Sequence, residues 1–200
     1  MRAIVAFSLV LVLSGCLAPT GGPSSAPALR QATLAGGAVI VRPPSGYCID
    51  PNSLSTRASG GFALIGSCAS LTGDDSGVFV EPAIITLSVS PAKEGEVSTD
   101  SSAFQTALGR GTILRAINRD DLSLLHVQGG ARVPPSADER HWRGLMPLDG
   151  YVLGLALYGA KDSPMVDDQG MRMMITLAET IKRDSLAEGI VASSPANAAE

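Results

Sequence analysis

Trp142-Arg143-Gly144-Leu145-Met146 and Tyr151-Val152-Leu153-Gly154-Leu155-Ala156-Leu157-Tyr158, joined through Leu148-Asp149-Gly150, decide the reading of this chain. Two apolar runs rich in β-formers flank an Asp-Gly pair. That pair favours a tight antiparallel turn because both residues tolerate positive φ. Downstream the period changes from two to three and four. Met171, Met174, Ala178 and Ile181 fall on one face of a helix expected over about 169–184, with Asp167 or Asp168 as its cap. Arg172, Glu179, Lys182 and Arg183 lie mostly opposite, so the apolar stripe must pack on a sheet.

Upstream the pattern repeats. Residues 113–117 and 122–127 flank Asn118-Arg119-Asp120-Asp121 and read as a second hairpin, followed by a long loop over 129–137. Ile85, Leu87 and Val89 alternate with Thr86, Ser88 and Ser90, a strand with one buried face. After a loop over 91–95, Thr99 or Asp100 caps a short helix carrying Ala103, Phe104, Ala107 and Leu108, ended by glycine. Residues 38–42 form a strand stopped by Pro43-Pro44, and 62–65 form another. Asp50-Pro51 between them reads as a cap and first turn of a short helix over 51–57. The sum is one α+β domain: a largely antiparallel sheet of six or seven strands, two or three helices, and the C-terminal helix packed on the sheet.

Three cysteines are present. Cys48 and Cys68 are expected to form a disulfide, since paired thiols suit an exported chain. Closing a loop of about 20 residues stabilises a fold by roughly 3 kcal/mol in the chain-entropy model. A plain hairpin between residues 43–49 and 61–67 would set Cys48 opposite about Ala63, so the helix over 51–57 is expected to lie across the strands and return the chain beside Cys48.

Cys16 belongs to a different signal. Met1-Arg2, an almost wholly apolar run to Leu13, then Leu13-Ser14-Gly15-Cys16, has the layout of a secretory signal. The run is too short for a permanent span, which needs about 20 residues. Leu13-Ser14-Gly15-Cys16 resembles the lipobox of bacterial lipoproteins. The resemblance implies cleavage before Cys16 and lipidation of that cysteine, with acyl chains holding the protein to a membrane. Leu17, where an Asp tends to retain proteobacterial lipoproteins at the inner membrane, implies the periplasmic face of the outer membrane. The expected organisation is a signal peptide over 1–15, a lipidated Cys16 with a flexible tether over 16–35, the domain over 36–190 and a disordered tail over 191–200. The element order of the domain also resembles the PsbP/Mog1-like fold.

Composition bounds the function. The chain carries 15 Lys and Arg against 19 Asp and Glu, a net charge of −4, with one Trp, three Tyr and four Phe. No basic stripe with interleaved aromatics exists, so no nucleic-acid partner is expected. Ser90-Pro91-Ala92-Lys93 matches S-x-x-K but lacks its companion motifs, and the proline contradicts the helix that spacing requires. Ser67, in Gly66-Ser67-Cys68, lacks the flanks of a nucleophile elbow. His126 reads as an edge-strand histidine on a face with Leu122 and Leu124, and His141 as a loop-end residue. The Asp pairs at 74–75, 120–121 and 167–168 lack calcium-loop spacing and suit turns and caps. Met171, Met173 and Met174 cannot all face one ion on a regular helix. No catalytic residue, metal site or cofactor is therefore expected. The reading is a lipid-anchored envelope protein, a non-enzymatic interaction or assembly module whose partner is an envelope protein or peptidoglycan. A serine hydrolase using Ser67 or Ser90, and a carrier of a small apolar or metal ligand, are the alternatives.

Overall fold

Eight strands form one sheet whose neighbours run in the order β3-β5-β6-β10-β9-β8-β7, with β4 also paired to β5. This computed structural model describes residues 27–74, 77–92, 111–130 and 133–192. The strands of the large sheet are β3 (Tyr47–Ile49), β4 (Ser55–Arg57), β5 (Gly60–Ser67), β6 (Ala83–Pro91), β7 (Thr112–Arg119), β8 (Leu122–Gln128), β9 (Ala137–Leu148) and β10 (Tyr151–Ala160). A two-stranded sheet of β1 (Ala32–Leu34) and β2 (Val39–Val41) precedes them. The described helices are α1 (Cys68–Thr72) and α2 (Asp168–Ala192). The fold is α+β, as the residue patterns require, and α2 packs on the sheet.

Every ladder in the sheet is antiparallel. β6 and β7 nevertheless run parallel to each other, with β10, β9 and β8 between them. The chain therefore leaves β6 at one end of the sheet and enters β7 at the other. The helix expected around residues 99–108 lies outside the described residues.

Alternation places the core. Ile85, Leu87 and Val89 of β6, Leu153, Leu155 and Leu157 of β10, and Trp142 and Met146 of β9 share the face beneath α2. From the helix, Met174, Leu177, Ala178 and Ile181 are fully buried against it. Gly144 makes this contact close: a Cβ there would lie 3.2 Å from the Met174 Cε. Leu34, Val39 and Val41 of the small sheet complete the same core. On the second face Ser123, Leu125, Val127, His141, Ala156 and Tyr158 are also buried. Gly170, in the first turn of α2, packs against the 3-10 turn Pro164–Val166, and a Cβ on it would sit 1.8 Å from the Met165 carbonyl oxygen.

Four expectations are corrected. Residues 32–35, assigned above to the tether, belong to the fold: Ala32–Leu34 is a strand, Leu34 is fully buried, and Leu29 already bridges Ile49. Two buried apolar residues, Ala32 and Leu34, suffice there because the pairing strand β2 covers their edge. The helix over 51–57 does not form. Asp50 instead makes an Asx turn, accepting from the Asn52 N–H at 2.9 Å, and Ser55–Arg57 returns to the sheet as β4. Asx turns and caps share the same side-chain oxygen, so the sequence signal was the same for both. The disulfide register follows from this. The hairpin turn is Ala58-Ser59, since Arg57 pairs with Gly60. Residues 50–54 then bulge, and Cys48 pairs with Gly66. Cys48 and Cys68 are bonded with Cα atoms 4.9 Å apart, and the helix they fasten is α1 rather than one over 51–57. Lastly, α2 continues past Asp184 to Ala192, beyond the expected domain end.

Candidate functional site

The two ends of the sheet are built differently. One end holds all three hairpin turns: Ala58-Ser59, Asp120-Asp121 and Asp149-Gly150. Asp120 (φ 45°), Asp149 (φ 45°) and Gly150 (φ 77°) adopt the left-handed conformations that two-residue hairpins require. The other end holds the longer connections, 42–46, 68–82, 129–136 and 161–167. Binding residues gather on such connections when a rigid scaffold positions them.

At the long-loop end, side chains pin the connections in place. Ser67 caps α1, accepting from the Ser70 N–H at 3.1 Å, and Gly73 ends that helix in the left-handed region. The disulfide holds the first turn of α1 to β3, and the Cys68 N–H donates to the Gly46 carbonyl at 2.9 Å. Tyr47 Oη donates to the Glu81 carbonyl at 2.5 Å. Burial, with Glu81 nearby, pushes the Tyr47 phenol up to about 12. Ser163 Oγ donates to Glu81 Oε1 at 2.8 Å, which ties the β10–α2 connection to the same loop. Asp138 accepts from the Arg140 backbone N–H (2.8 Å), the Arg140 guanidinium (3.1 Å) and the Asp162 N–H (3.0 Å). The Arg140 hydrogen bonds hold the Asp138 carboxyl down at about 2.

From this braced end one segment projects. Val78 is 60 % exposed and Phe79 is 90 % exposed. The segment is not loose at its base. Val80 packs against Gly46 so closely that a Cβ on Gly46 would sit 2.3 Å from Val80 Cγ1, and Gly46 already holds φ +86°. An aromatic ring held out in water by a fixed base is the feature expected of a contact surface. The sequence reading did not single it out. Its signal was present in Gly77-Val78-Phe79-Val80, a short apolar run between a turn cluster and Pro82 that no alternation assigns to a face.

The histidines do other work. His126 lies on β8, an interior strand rather than an edge, because β7 pairs outside it. Its ring stacks on Trp142 with centroids 4.5 Å apart, and its buried Nε2 has no hydrogen-bond partner. Trp142 Nε1 donates to the Asp167 carbonyl at 2.9 Å, fixing that ring. His141 lies inside β9 rather than at a loop end. It is buried, with Nδ1 donating to the Glu139 carbonyl at 3.0 Å and the ring stacked on Tyr158. Burial pushes both imidazoles down.

The candidate nucleophiles stand apart from both. Ser67 points to the α2 face of the sheet and is engaged as a cap, whereas His141 points to the second face three strands away. Ser90 pairs with Val152, at the turn end, while His141 pairs with Tyr158 near the other end. Lys93 lies outside the described residues. The Asp residues serve turns and caps: Asp121 bonds Lys182 at 2.6 Å and Asp168 bonds Arg115 at 3.2 Å, while the Asp167 carbonyl accepts from the Met171 N–H at 3.2 Å. Asp75 lies outside the described residues. Met174 is fully buried core, with Met171 and Met173 partly buried beside it. Among the described residues no three His, Cys, Asp or Glu side chains gather at metal-binding reach, and no helix is long and apolar enough to cross a membrane.

The described chain joins the large sheet beside β3, two ladder positions from the long-loop end of β5. Leu29 and Ile49 exchange both backbone hydrogen bonds in antiparallel sense (2.9 and 2.8 Å), which aligns Ala28 with Asp50, on the side toward the hairpin turns. Phe79 stands at the opposite end. Comparison with protein-family models, with characterised proteins and with solved structures finds no match to this chain.

Proposed function

We propose that this protein is a lipid-anchored cell-envelope domain that presents its long-loop end to a protein partner, without chemistry of its own. The single observation that carries the reading is Phe79, 90 % exposed on a braced base. A domain held to a membrane through its N-terminus and carrying an exposed apolar ring is suited to engage an envelope partner. Two further features support the address. Leu13-Ser14-Gly15-Cys16 matches a lipobox, and the Cys48–Cys68 bond suits an oxidising compartment. Acyl chains contribute roughly 0.8 kcal/mol per buried methylene, so several together hold a protein stably.

Detergent partitioning in a bacterial host tests the anchor. The wild-type chain is expected in the detergent phase, and Cys16→Ser in the aqueous phase or as an uncleaved precursor. Unchanged partitioning of Cys16→Ser contradicts the lipoprotein reading.

A further inference from the structure

We propose that a groove at the turn end, where β4, β5 and β6 meet, binds the phosphate of a small phosphate ester. The groove measures about 370 Å³, within the range of small-ligand sites. Its polar lining is Ser55, Arg57, Ser59 and Ser90, and its apolar side is formed by Phe62 and Pro91. Ladder register brings these together: Ser55 pairs with Phe62, Arg57 with Gly60, and Phe62 with Ser88 two residues before Ser90. Gly60 leaves the floor bare, since a Cβ there would lie 2.6 Å from the Val89 carbonyl oxygen.

The chemistry of the lining selects the ligand. Three hydroxyls and a guanidinium offer hydrogen-bond donors, and among the described residues the lining holds no carboxylate or carboxamide. Serine hydroxyls can also accept from a sugar or polyol, but such a neutral ligand leaves the guanidinium without a counter-charge. An anion is well matched, in a chain whose net charge is −4 and which would otherwise repel one. Among the described residues Arg57 makes no ion pair, and its planar fork suits a bidentate contact. Phosphate is favoured over carboxylate because its additional oxygens use the serine hydroxyls as well as the fork. The remaining volume and the Phe62 ring accommodate the ester substituent. Such a ligand comes either from a soluble phosphate ester or from a phospholipid headgroup. The proposal does not rest on the anchor.

Titration of the full chain carrying Cys16→Ser, which excludes any contribution from a lipid anchor, separates the two. With glycerol 3-phosphate, saturable amide shifts at Ser59 and Gly60, weakened about tenfold by Arg57→Gln, assign a soluble ester. No shift with the free ester, but Arg57-dependent sedimentation with phosphatidylglycerol vesicles, assigns the headgroup. Arg57 is exposed on a hairpin, so Arg57→Gln is expected to fold, and an unchanged thermal midpoint checks this. No binding to either probe overturns the proposal, as does binding that Arg57→Gln leaves unchanged.

Discussion

The two ends of the sheet solve different problems with different residues. At one end three two-residue turns close β4–β5, β7–β8 and β9–β10 with little more than backbone geometry. At the other, longer connections are held by a disulfide, a helix cap, the Tyr47–Glu81–Ser163 contacts and the Asp138–Arg140 pair. Among the described residues, only this second end carries a large aromatic ring out into water. Extended loops lose more backbone entropy on ordering than tight turns do. Cross-links that order them are therefore informative, because they keep Phe79 in a fixed place without burying it.

The largest effects should come from groups that join the long-loop end to the core. Trp142→Ala is expected to cost about 3–5 kcal/mol, the usual range for removing a large buried ring. It also removes the Asp167 contact and the His126 stack. Urea denaturation measures this, and a loss under about 1 kcal/mol would mean the ring is not packed as described. Cys48→Ala is next, at about 3 kcal/mol. Mass spectrometry of the unreduced protein should first show the Cys48–Cys68 crosslink, and two freely alkylated thiols would refute it.

Acid should loosen the same end in two steps. Burial holds both histidines below the ordinary imidazole range in the folded state, so the unfolded chain binds more protons and stability falls as pH drops through that range. Asp138, held by the Arg140 hydrogen bonds at about 2, well below the usual carboxylate range, adds stability that is present above that range and lost as pH falls toward 2. Asp138→Asn is expected to remove the second step alone in melts across pH 2 to 7. A pH dependence identical to wild type would show that the Arg140 pair does not hold the loop.

The turn end should be more forgiving. Gly150→Ala meets no atom within 4 Å, so its cost is the backbone penalty at φ 77° alone, about 1 kcal/mol by thermal melting. A cost near that of Cys48→Ala would erase the contrast between the ends. Smallest of all, Phe79→Ser should leave stability within about 0.5 kcal/mol, because its ring buries almost nothing. A large loss there would make Phe79 a structural residue.

Much of the turn end was legible in the sequence. Asp149-Gly150 and the 118–121 cluster announce positive φ, and the alternation of Ile85, Leu87 and Val89 fixes which face is buried. The Met174–Ile181 stripe fixes how α2 docks, and thiol count, with the chain read as exported, was enough to pair Cys48 with Cys68. The long-loop end was less legible for a physical reason: its structure rests on contacts distant in sequence. Glu81 meets Ser163 across 82 positions, and Val80 fits a notch at Gly46. Asp50 misled because one side-chain oxygen serves a cap and an Asx turn equally. Residues 32–34 misled because a three-residue strand is too short for periodicity to register.

The account rests most heavily on the claim that the long-loop end, and not the turn end, meets a partner. A photoreactive phenylalanine analogue placed in cells at position 79, and in a second strain at position 149, tests this directly. The account predicts a discrete crosslinked protein from position 79 that is absent from position 149. No adduct at position 79, or the same adduct from both positions, would contradict it.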